Sequence, residues 1–148
     1  MTETAKRRVL KPSPVRRREI IESARVLILQ KGENTSVDEV VDRTGLSKGA
    51  FYHHFKSKDD LLLGLAERLV EESVEQVQDL VNDPGLGPMA RLNAVMDRLR
   101  ALNIDAGWPD SPTALLRLQR ENGLLFEMIT TASFSKIGPL IAGIIAAG

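Results

Sequence analysis

The segment TGLSKGAFYHHF, residues 44–55, holds two histidines, a lysine, a serine and three of the six aromatic residues of the chain. Histidines bind metals, but His53 and His54 are neighbours, and adjacent positions on a helix point about 100° apart. No second pair of metal-binding side chains stands at helical spacing, so we expect no metal site. The segment instead combines hydrogen-bond donors with glycines, which is typical of a short helix that lies against a partner molecule.

The residue types elsewhere in the chain give little support for catalysis. The absence of cysteine excludes disulfides, cysteine zinc sites and thiol nucleophiles. The sequence contains no nucleophile elbow, P-loop or dinucleotide-binding glycine pattern. Glu71, Glu72 and Glu75 are typical of a solvated helix face rather than of an acid–base pair. We therefore expect neither an enzyme nor a cofactor.

Charge is unevenly distributed along a chain whose formal net charge is zero. Residues 1–58 contain 13 basic and 7 acidic residues, a net charge of +6, which leaves −6 for the remainder. A basic front on an acidic body favours contact with a polyanion, although a solvated basic tail gives part of the same signal. The most apolar run, IGPLIAGIIAAG, has 12 residues, whereas a membrane span needs about 20, so we expect no membrane insertion.

Residues 1–13 have no periodicity and contain proline, so they are interpreted as a flexible basic arm. Hydrophobic periodicity predicts a first helix over about residues 14–31, which ends at a glycine. Ser36 and Glu39 then form a capping box, in which each side chain binds the backbone amide of the other, at the start of a second helix. Gly45 ends that helix and supplies the positive φ of a tight turn.

Serine caps also begin the next two helices, with Ser47 before the third and Ser57 before a long fourth helix that reaches about Asn82. Periodicity places three further helices at about residues 89–103, at 113–131 and from Pro139 onwards. No segment has the pattern of a strand. We therefore expect an all-α fold, with a helix-turn-helix domain at residues 14–57 and a helical body at residues 58–148.

Two short helices joined by a glycine turn and braced by a longer helix describe a helix-turn-helix, whose second helix enters the DNA major groove. Small residues at the start of that helix keep it close to the groove. Lys48 reaches a phosphate or a guanine edge, and Tyr52 and His53 donate hydrogen bonds to phosphates. Phe51 and Phe55 are expected to face the core and hold the helix in place.

The run SVDEVVDRTGLSKGAFYHHFKSKDDLL, residues 36–62, resembles the DNA-binding domain of the TetR family of bacterial transcriptional regulators. The first helix also looks like the opening helix of that family, so the resemblance covers about residues 16–65. Val41 and Thr44 depart from it, because the family usually has alanine at both positions. Together the residues and the resemblance give these candidate DNA-binding residues: Ser36, Thr44, Ser47, Lys48, Gly49, Ala50, Tyr52, His53 and Lys58.

The resemblance further implies a cytoplasmic, nucleoid-associated homodimer that represses transcription. It would bind a palindromic double-stranded operator and leave it when a small-molecule effector enters the helical body. Residues 135–148 resemble the helix that precedes the two dimer-forming helices of the family, so we expect a truncated chain. No motif marks the effector pocket, and core packing is the simpler explanation for each of its large apolar candidates: Met96, Leu99, Trp108, Leu116, Phe126 and Met128.

Two alternatives stay open at this point. The helix-turn-helix would also serve as the scaffold of a helical protein-interaction module, although the basic arm and Lys48, Lys56 and Lys58 argue against it. An activator would use the same fold as a repressor, because the difference between them lies in the position of the operator.

Overall fold

The structure, a computed structural model, describes residues 13–107 and 110–148. Over these residues the chain is helical and forms no strand, which confirms the all-α fold. Trp108 and all but the last residue of the predicted basic arm lie outside the described residues. The helices are α1 (Ser13–Lys31), α2 (Val37–Thr44), α3 (Lys48–His54), α4 (Lys58–Val81), α5 (Pro88–Asp105), α6 (Pro112–Glu121), α7 (Gly123–Lys136) and α8 (Gly138–Ala146).

Local capping determines where α2, α3 and α4 begin. The Ser36 hydroxyl accepts from the Glu39 amide at 3.1 Å, and the Glu39 carboxylate accepts from the Ser36 amide at 2.8 Å, which confirms the capping box. The hydroxyls of Ser47 and Ser57 each accept a backbone amide at 3.1 Å at the starts of α3 and α4. Gly45 follows α2 with a φ of 69°, the left-handed conformation predicted for the turn.

A first apolar core unites α1, α2, α3 and the N-terminal half of α4. Phe51 and Phe55 of α3 are almost fully buried in it, as predicted, with 5.5 Å between their ring centroids. Seven residues are too few for a helix to be stable alone, so these rings, at about 1.5–3 kcal/mol each, hold α3 in place. Leu125 of α7 joins the same core, so the body packs directly on the helix-turn-helix part.

A second apolar core lies toward the other end of α4. It is built from Val77 of α4, Val95 of α5 and Ile144 of α8, all of which are buried. The 24 residues of α4 give it a length of about 36 Å, and it contributes to both cores. This helix is therefore the element through which the two ends of the molecule are held at a fixed distance.

Charged side chains join α1 to the middle of α4. Glu72 of α4 accepts from Arg25 of α1 at 3.0 Å and lies 3.2 Å from the Nε of Arg68. Glu22 of α1 lies 3.7 Å from Arg25 and 3.8 Å from Arg68, which closes the network. These ion pairs are partly buried, so water screens them less than it screens pairs on an open surface. The network therefore adds charged contacts between α1 and α4 beside the first apolar core.

The sequence predicts one helix over residues 113–131, with a loosening at Gly123, and the structure divides this segment into α6 and α7 at Asn122. Asn122 has a φ of −133° and a ψ of 49°, outside the helical region. Its side-chain amide oxygen accepts at 2.9 Å from the backbone amide of Glu33, which lies 89 residues earlier. The contact that accompanies the break is therefore tertiary, and local periodicity does not reveal it.

The two C-terminal helices form one long apolar segment. By length and composition, Gly123–Ala146 is apolar enough to cross a membrane, with a mean hydropathy of 1.4. It is longer than the 12-residue run recognised in the sequence because it includes α7. Lys136 lies within this segment and pairs with Glu71 of α4 at 2.9 Å, an exposed contact between α7 and the long helix.

Candidate nucleic-acid interface

The inner side of α3 is fixed by aromatic contacts. Phe51 lies 5.2 Å from Tyr52 in an edge-to-face arrangement, measured between ring centroids. The guanidinium of Arg17 in α1 lies over the ring of Phe55, 4.6 Å from its centroid, which adds a cation–π contact between α1 and α3. The burial of Phe51 and Phe55 and the contact of Arg17 with Phe55 leave the opposite side of α3 exposed.

The outer side of α3 presents the predicted hydrogen-bond donors together. Lys48, Tyr52 and His53 are all exposed, and Tyr52 retains 51% of its accessible surface. Gly49 is exposed between them, and a Cβ built on it would meet only the Ser47 hydroxyl, at 3.9 Å. The result is a shallow polar face of mixed donors, which suits hydrogen bonding to phosphates and base edges.

Lys48 has an acidic partner that the sequence reasoning did not identify. Its Nζ lies 2.8 Å from the carboxylate of Asp38 in the first turn of α2, and both side chains are exposed. The hydrogen bond to Asp38 raises the pKa of Lys48, so the ammonium stays charged. No sequence signal connects the two positions, because they are brought together only by the angle between α2 and α3.

The candidate hydroxyls already take part in local hydrogen bonds. Ser36 and Ser47 accept backbone amides as helix caps. The Thr44 hydroxyl donates within α2, to the carbonyls of Val40 at 3.0 Å and Val41 at 3.2 Å. A phosphate accepts hydrogen bonds, so it needs the O–H of each hydroxyl. Ser47 can donate its O–H while its oxygen caps α3, whereas Ser36, which donates to Glu39 at 3.3 Å, and Thr44 would each give up a bond within α2.

Lys58, at the start of α4, is partly buried and turned toward the α1–α2 turn. Its Nζ donates to the backbone carbonyl of Glu33 at 2.7 Å. An ammonium has three donors, so this bond leaves two for another acceptor. A phosphate that binds Lys58 would therefore share it with the turn.

The two histidines differ in their surroundings. His53 is exposed, whereas His54 is partly buried and its ring centroid lies 5.3 Å from that of His53. Burial, followed by the nearby His53, Arg16 and Arg17, lowers the pKa of His54 and favours its neutral form. Of the two, His53 has the more accessible donor. Within residues 13–107 and 110–148, no three His, Asp or Glu side chains are grouped as in a metal site.

The structure does not gather the predicted effector-binding residues that it describes into one cavity. Met96 and Leu116 are exposed, with 49% and 66% of their surfaces accessible. Leu99 packs on the second core, and Met128 packs on the first. Leu116 and Phe126 share an open groove on α6 and α7, and Phe126 also lines a separate cavity beside α1.

The N-terminal part of the chain is similar in sequence to known bacterial regulatory proteins. Residues 20–65 match the family model described as bacterial regulatory proteins, tetR family. Over 67 residues the chain is 36% identical to the transposon Tn10 TetC protein of Escherichia coli, a match that covers 43% of this chain and 34% of that protein. Over 76 residues it is 36% identical to the transcriptional repressor AcnR of Corynebacterium glutamicum, covering 51% and 38% of the two chains.

A third relative is the transcriptional repressor KstR2 of Mycobacterium tuberculosis, 30% identical over 81 residues, with 54% of this chain and 40% of that protein covered. The chain thus spans between 34% and 40% of the length of these three curated relatives.

Two crystal structures share the fold over most of the chain. One is the TetR family regulator PfmR from Thermus thermophilus, with a TM-score of 0.50, 21% identity and coverage of 82% of this chain and 72% of that one. The other is a TetR/AcrR family regulator from Thermobifida fusca, with a TM-score of 0.55, 24% identity and coverage of 90% and 80%. Residues 20–65 are therefore similar to the DNA-binding domain of the tetR family, and the chain shares the fold of the two solved regulators.

Proposed function

We propose that this protein is a DNA-binding transcriptional regulator rather than an enzyme, and that the outer side of α3 is its DNA-contacting surface. The observation that supports this most directly is the exposed set Lys48, Tyr52 and His53 above the buried rings of Phe51 and Phe55. An anchored helix with donors on its free side is the arrangement that reads a major groove. The proposed DNA-binding domain is residues 14–57, with residues 58–148 as the body.

At a finer level, we propose a ligand-responsive repressor that binds a palindromic operator as a homodimer in the bacterial cytoplasm, associated with the nucleoid. Support comes from the relatives AcnR and KstR2, which are named as repressors. A homodimer is supported by the physics of half-sites, since one short helix in one groove supplies few contacts and two-fold symmetry doubles them. The proposed effector would be a small molecule that enters the body.

Salt dependence tests the DNA-binding proposal without knowledge of the operator. The affinity of the protein for a random duplex is measured by fluorescence anisotropy between about 50 and 200 mM salt, where phosphate contacts weaken steeply. Lys48→Ala is expected to weaken binding severalfold and to reduce the slope of log Kd against log salt by about one per bound protomer. The matched control is Arg100→Ala, which removes the same charge from α5 and its pair with Asp110, and which should leave the slope unchanged.

Selection from a random duplex library tests the palindromic operator. Enrichment of an inverted repeat supports the homodimer, whereas enrichment of a single half-site contradicts it. If the protein binds no duplex even at low salt, the regulator proposal fails and a protein-interaction module becomes the better explanation.

A further inference from the structure

The turn between α1 and α2 is hydrogen-bonded to the junction between α6 and α7. The backbone amide of Glu33 donates to Asn122 Oδ1 at 2.9 Å, and the backbone amide of Leu125 donates to Glu33 Oε2 at 3.0 Å. Both bonds are partly buried. They run in opposite directions, so the α1–α2 turn and the α6–α7 junction each supply one donor and one acceptor. We call this pair of bonds, formed by Glu33, Asn122 and Leu125, the junction latch.

The junction latch takes the place of the capping bonds that α7 would otherwise make within its own first turn. Asn122 occupies the N-cap position of α7 but makes no capping bond to its own helix, and the Glu33 carboxylate serves the first turn of α7 instead. On the other side, Gly32 has a φ of 79°, and a Cβ there would lie 2.5 Å from Asn122 Oδ1. The start of α7 and the end of α1 are thus fitted to one another, so a displacement of either affects the other.

A cavity of about 330 Å³ lies directly beside the latch. It lies between the end of α1, the residues after α5, α6 and the start of α7, and it is partly open to solvent. Ile28, Leu118 and Phe126 supply apolar surface, and the amide-bearing residues Asn34 and Asn122 supply polar groups. The volume is at the lower end of the range of small-molecule sites, and this mixture of apolar wall and few polar groups is typical of them.

The charges around the cavity restrict what would bind there. Of the described lining residues, the charged ones are Lys31, which pairs with Glu39, and Glu121, which pairs with Arg117 at 3.2 Å. A charged ligand would have to displace one of these partners. An uncharged ligand would bury apolar surface against the walls and needs only one hydrogen bond to an amide.

We propose that this cavity is a binding site for a compact, uncharged, largely apolar molecule with one hydrogen-bonding group, and that its occupancy is transmitted to the DNA-binding domain through the junction latch. The proposal rests on the proposed function, since it specifies where and how an effector acts. The bound molecule contacts both sides of the junction, so it stabilises the latched arrangement. In that arrangement the bond to the Glu33 carbonyl holds the Lys58 ammonium toward the turn, so its two remaining donors are less able to follow a phosphate. Occupancy therefore weakens duplex binding.

The site is tested with indole as the probe, because indole is compact, aromatic and uncharged and has one N–H donor. Titration of the ¹⁵N-labelled protein is followed by NMR, in the absence of DNA. Indole is expected to shift the amide resonances of Gly32, Gly107 and Leu125 in a saturable manner, and benzoate, its charged comparator, is expected to leave them unchanged. Absence of saturable shifts with indole overturns the site, and equal shifts with benzoate overturn the proposed ligand class.

Filling the cavity provides the matched variants. Leu118→Trp on α6 and Ala106→Phe after α5 should each abolish the indole shifts, and circular dichroism identifies a variant that fails to fold. Leu116→Trp, on the exposed side of the same helix, should retain them. Two folded filling variants that bind indole as the wild type does would overturn the location of the site.

Coupling is tested by measuring duplex affinity with and without indole. Saturating indole should raise Kd for a random duplex by about fivefold or more in the wild type, the lower end of usual allosteric coupling. Glu33→Ala removes the acceptor for the Leu125 amide at a residue that does not line the cavity, so it should retain the indole shifts of Gly107 and lose this effect. An unchanged wild-type Kd, or an undiminished effect in the variant, overturns transmission through the latch.

The DNA-binding proposal and the cavity proposal are tested by independent measurements, so one can be contradicted while the other stands. Duplex binding without indole reports on the regulator alone, and the NMR titration without DNA reports on the cavity alone. A protein that binds indole but no duplex would retain the site and lose the regulator proposal.

Discussion

Asp38 places a negative charge on the surface that is proposed to meet DNA. Its carboxylate is 2.8 Å from Lys48 Nζ, and both side chains are well exposed. When DNA binds, Lys48 must exchange this carboxylate for a phosphate or a base, and Asp38 is left facing a polyanion. Asp38 therefore opposes non-specific binding more than it opposes binding to a site where Lys48 gains a good partner.

This argument predicts that Asp38→Asn increases the affinity for random duplex. The change keeps the size of the side chain and removes its charge, so the repulsion disappears and Lys48 is free. We expect a gain of about two- to fivefold at low salt, the range for an exposed charge pair, and a smaller gain at high salt. Fluorescence anisotropy over a salt series measures both.

The control for this prediction is Asp79→Asn, which removes the same charge near the far end of α4, where the side chain is exposed. It should leave duplex affinity nearly unchanged. Weaker binding by Asp38→Asn would contradict the competition argument and would indicate that Asp38 orients Lys48 or accepts a hydrogen bond from a base.

At the scale of the elements, the sequence predicts those helix boundaries that are set by hydrogen bonds between neighbouring residues. Ser36, Ser47 and Ser57 cap helices through bonds to amides three residues ahead, so their positions alone locate the helix starts. The division between α6 and α7 is different, because Asn122 is held by Glu33 from another element. A pattern that considers neighbouring residues contains no information about that partner.

In the candidate DNA-binding site, too, the sequence predicts what helical spacing determines and does not predict contacts between separate elements. The inward direction of Phe51 and Phe55 and the exposure of Lys48 follow from helical spacing, and the structure agrees. The Asp38 partner of Lys48 and the Glu33 partner of Lys58 depend on how separate elements pack, so sequence reasoning did not find them.

The two glycines near the turn are predicted to respond oppositely to substitution by alanine. Gly45 has a φ of 69° with no atom near its would-be Cβ, so Gly45→Ala has only a conformational cost, about 1–2 kcal/mol of unfolding free energy. Gly49 is helical and its Cβ position is open, so Gly49→Ala should increase stability by up to about 1 kcal/mol. Urea unfolding followed by circular dichroism measures both values.

Duplex binding completes the comparison between the two variants. Gly49→Ala should weaken binding despite its higher stability, because the added methyl group stands between α3 and the groove. A Gly45→Ala protein as stable as the wild type would show that the turn does not need the left-handed conformation.

At the scale of the whole molecule, the body and the DNA-binding domain form one mechanical unit. Leu125 of α7 lies in the same core as Phe51, and the network of Arg25, Arg68 and Glu72 holds α1 against α4. The helix-turn-helix part that the structure describes and the body are therefore not independent modules joined by a linker. A change in the body reaches α3 through packed contacts, which is what a ligand-responsive regulator requires.

The C-terminal helices leave apolar side chains uncovered. Phe134 of α7 and Ile145 of α8 are 77% and 62% exposed, and only 11% of the most apolar part of Gly123–Ala146 is buried. Exposed apolar surface of this kind marks a protein interface or a membrane contact. Lys136, which pairs with Glu71, favours an interface, because a charged side chain is costly to place in lipid.

Phe134→Glu is therefore predicted to reduce self-association. If the proposed homodimer forms through α7 and α8, a carboxylate at this position would be buried against apolar surface in the dimer, and analytical ultracentrifugation should show a shift to monomer of about tenfold or more in Kd. Val26→Glu, on the exposed side of α1, introduces the same charge outside this face and should leave the dimer unchanged. Equal association of the two variants would place the contact elsewhere. Flotation of the wild type with phosphatidylcholine vesicles distinguishes the other possibility, since a protein that uses this face for self-association should remain with the unbound fraction.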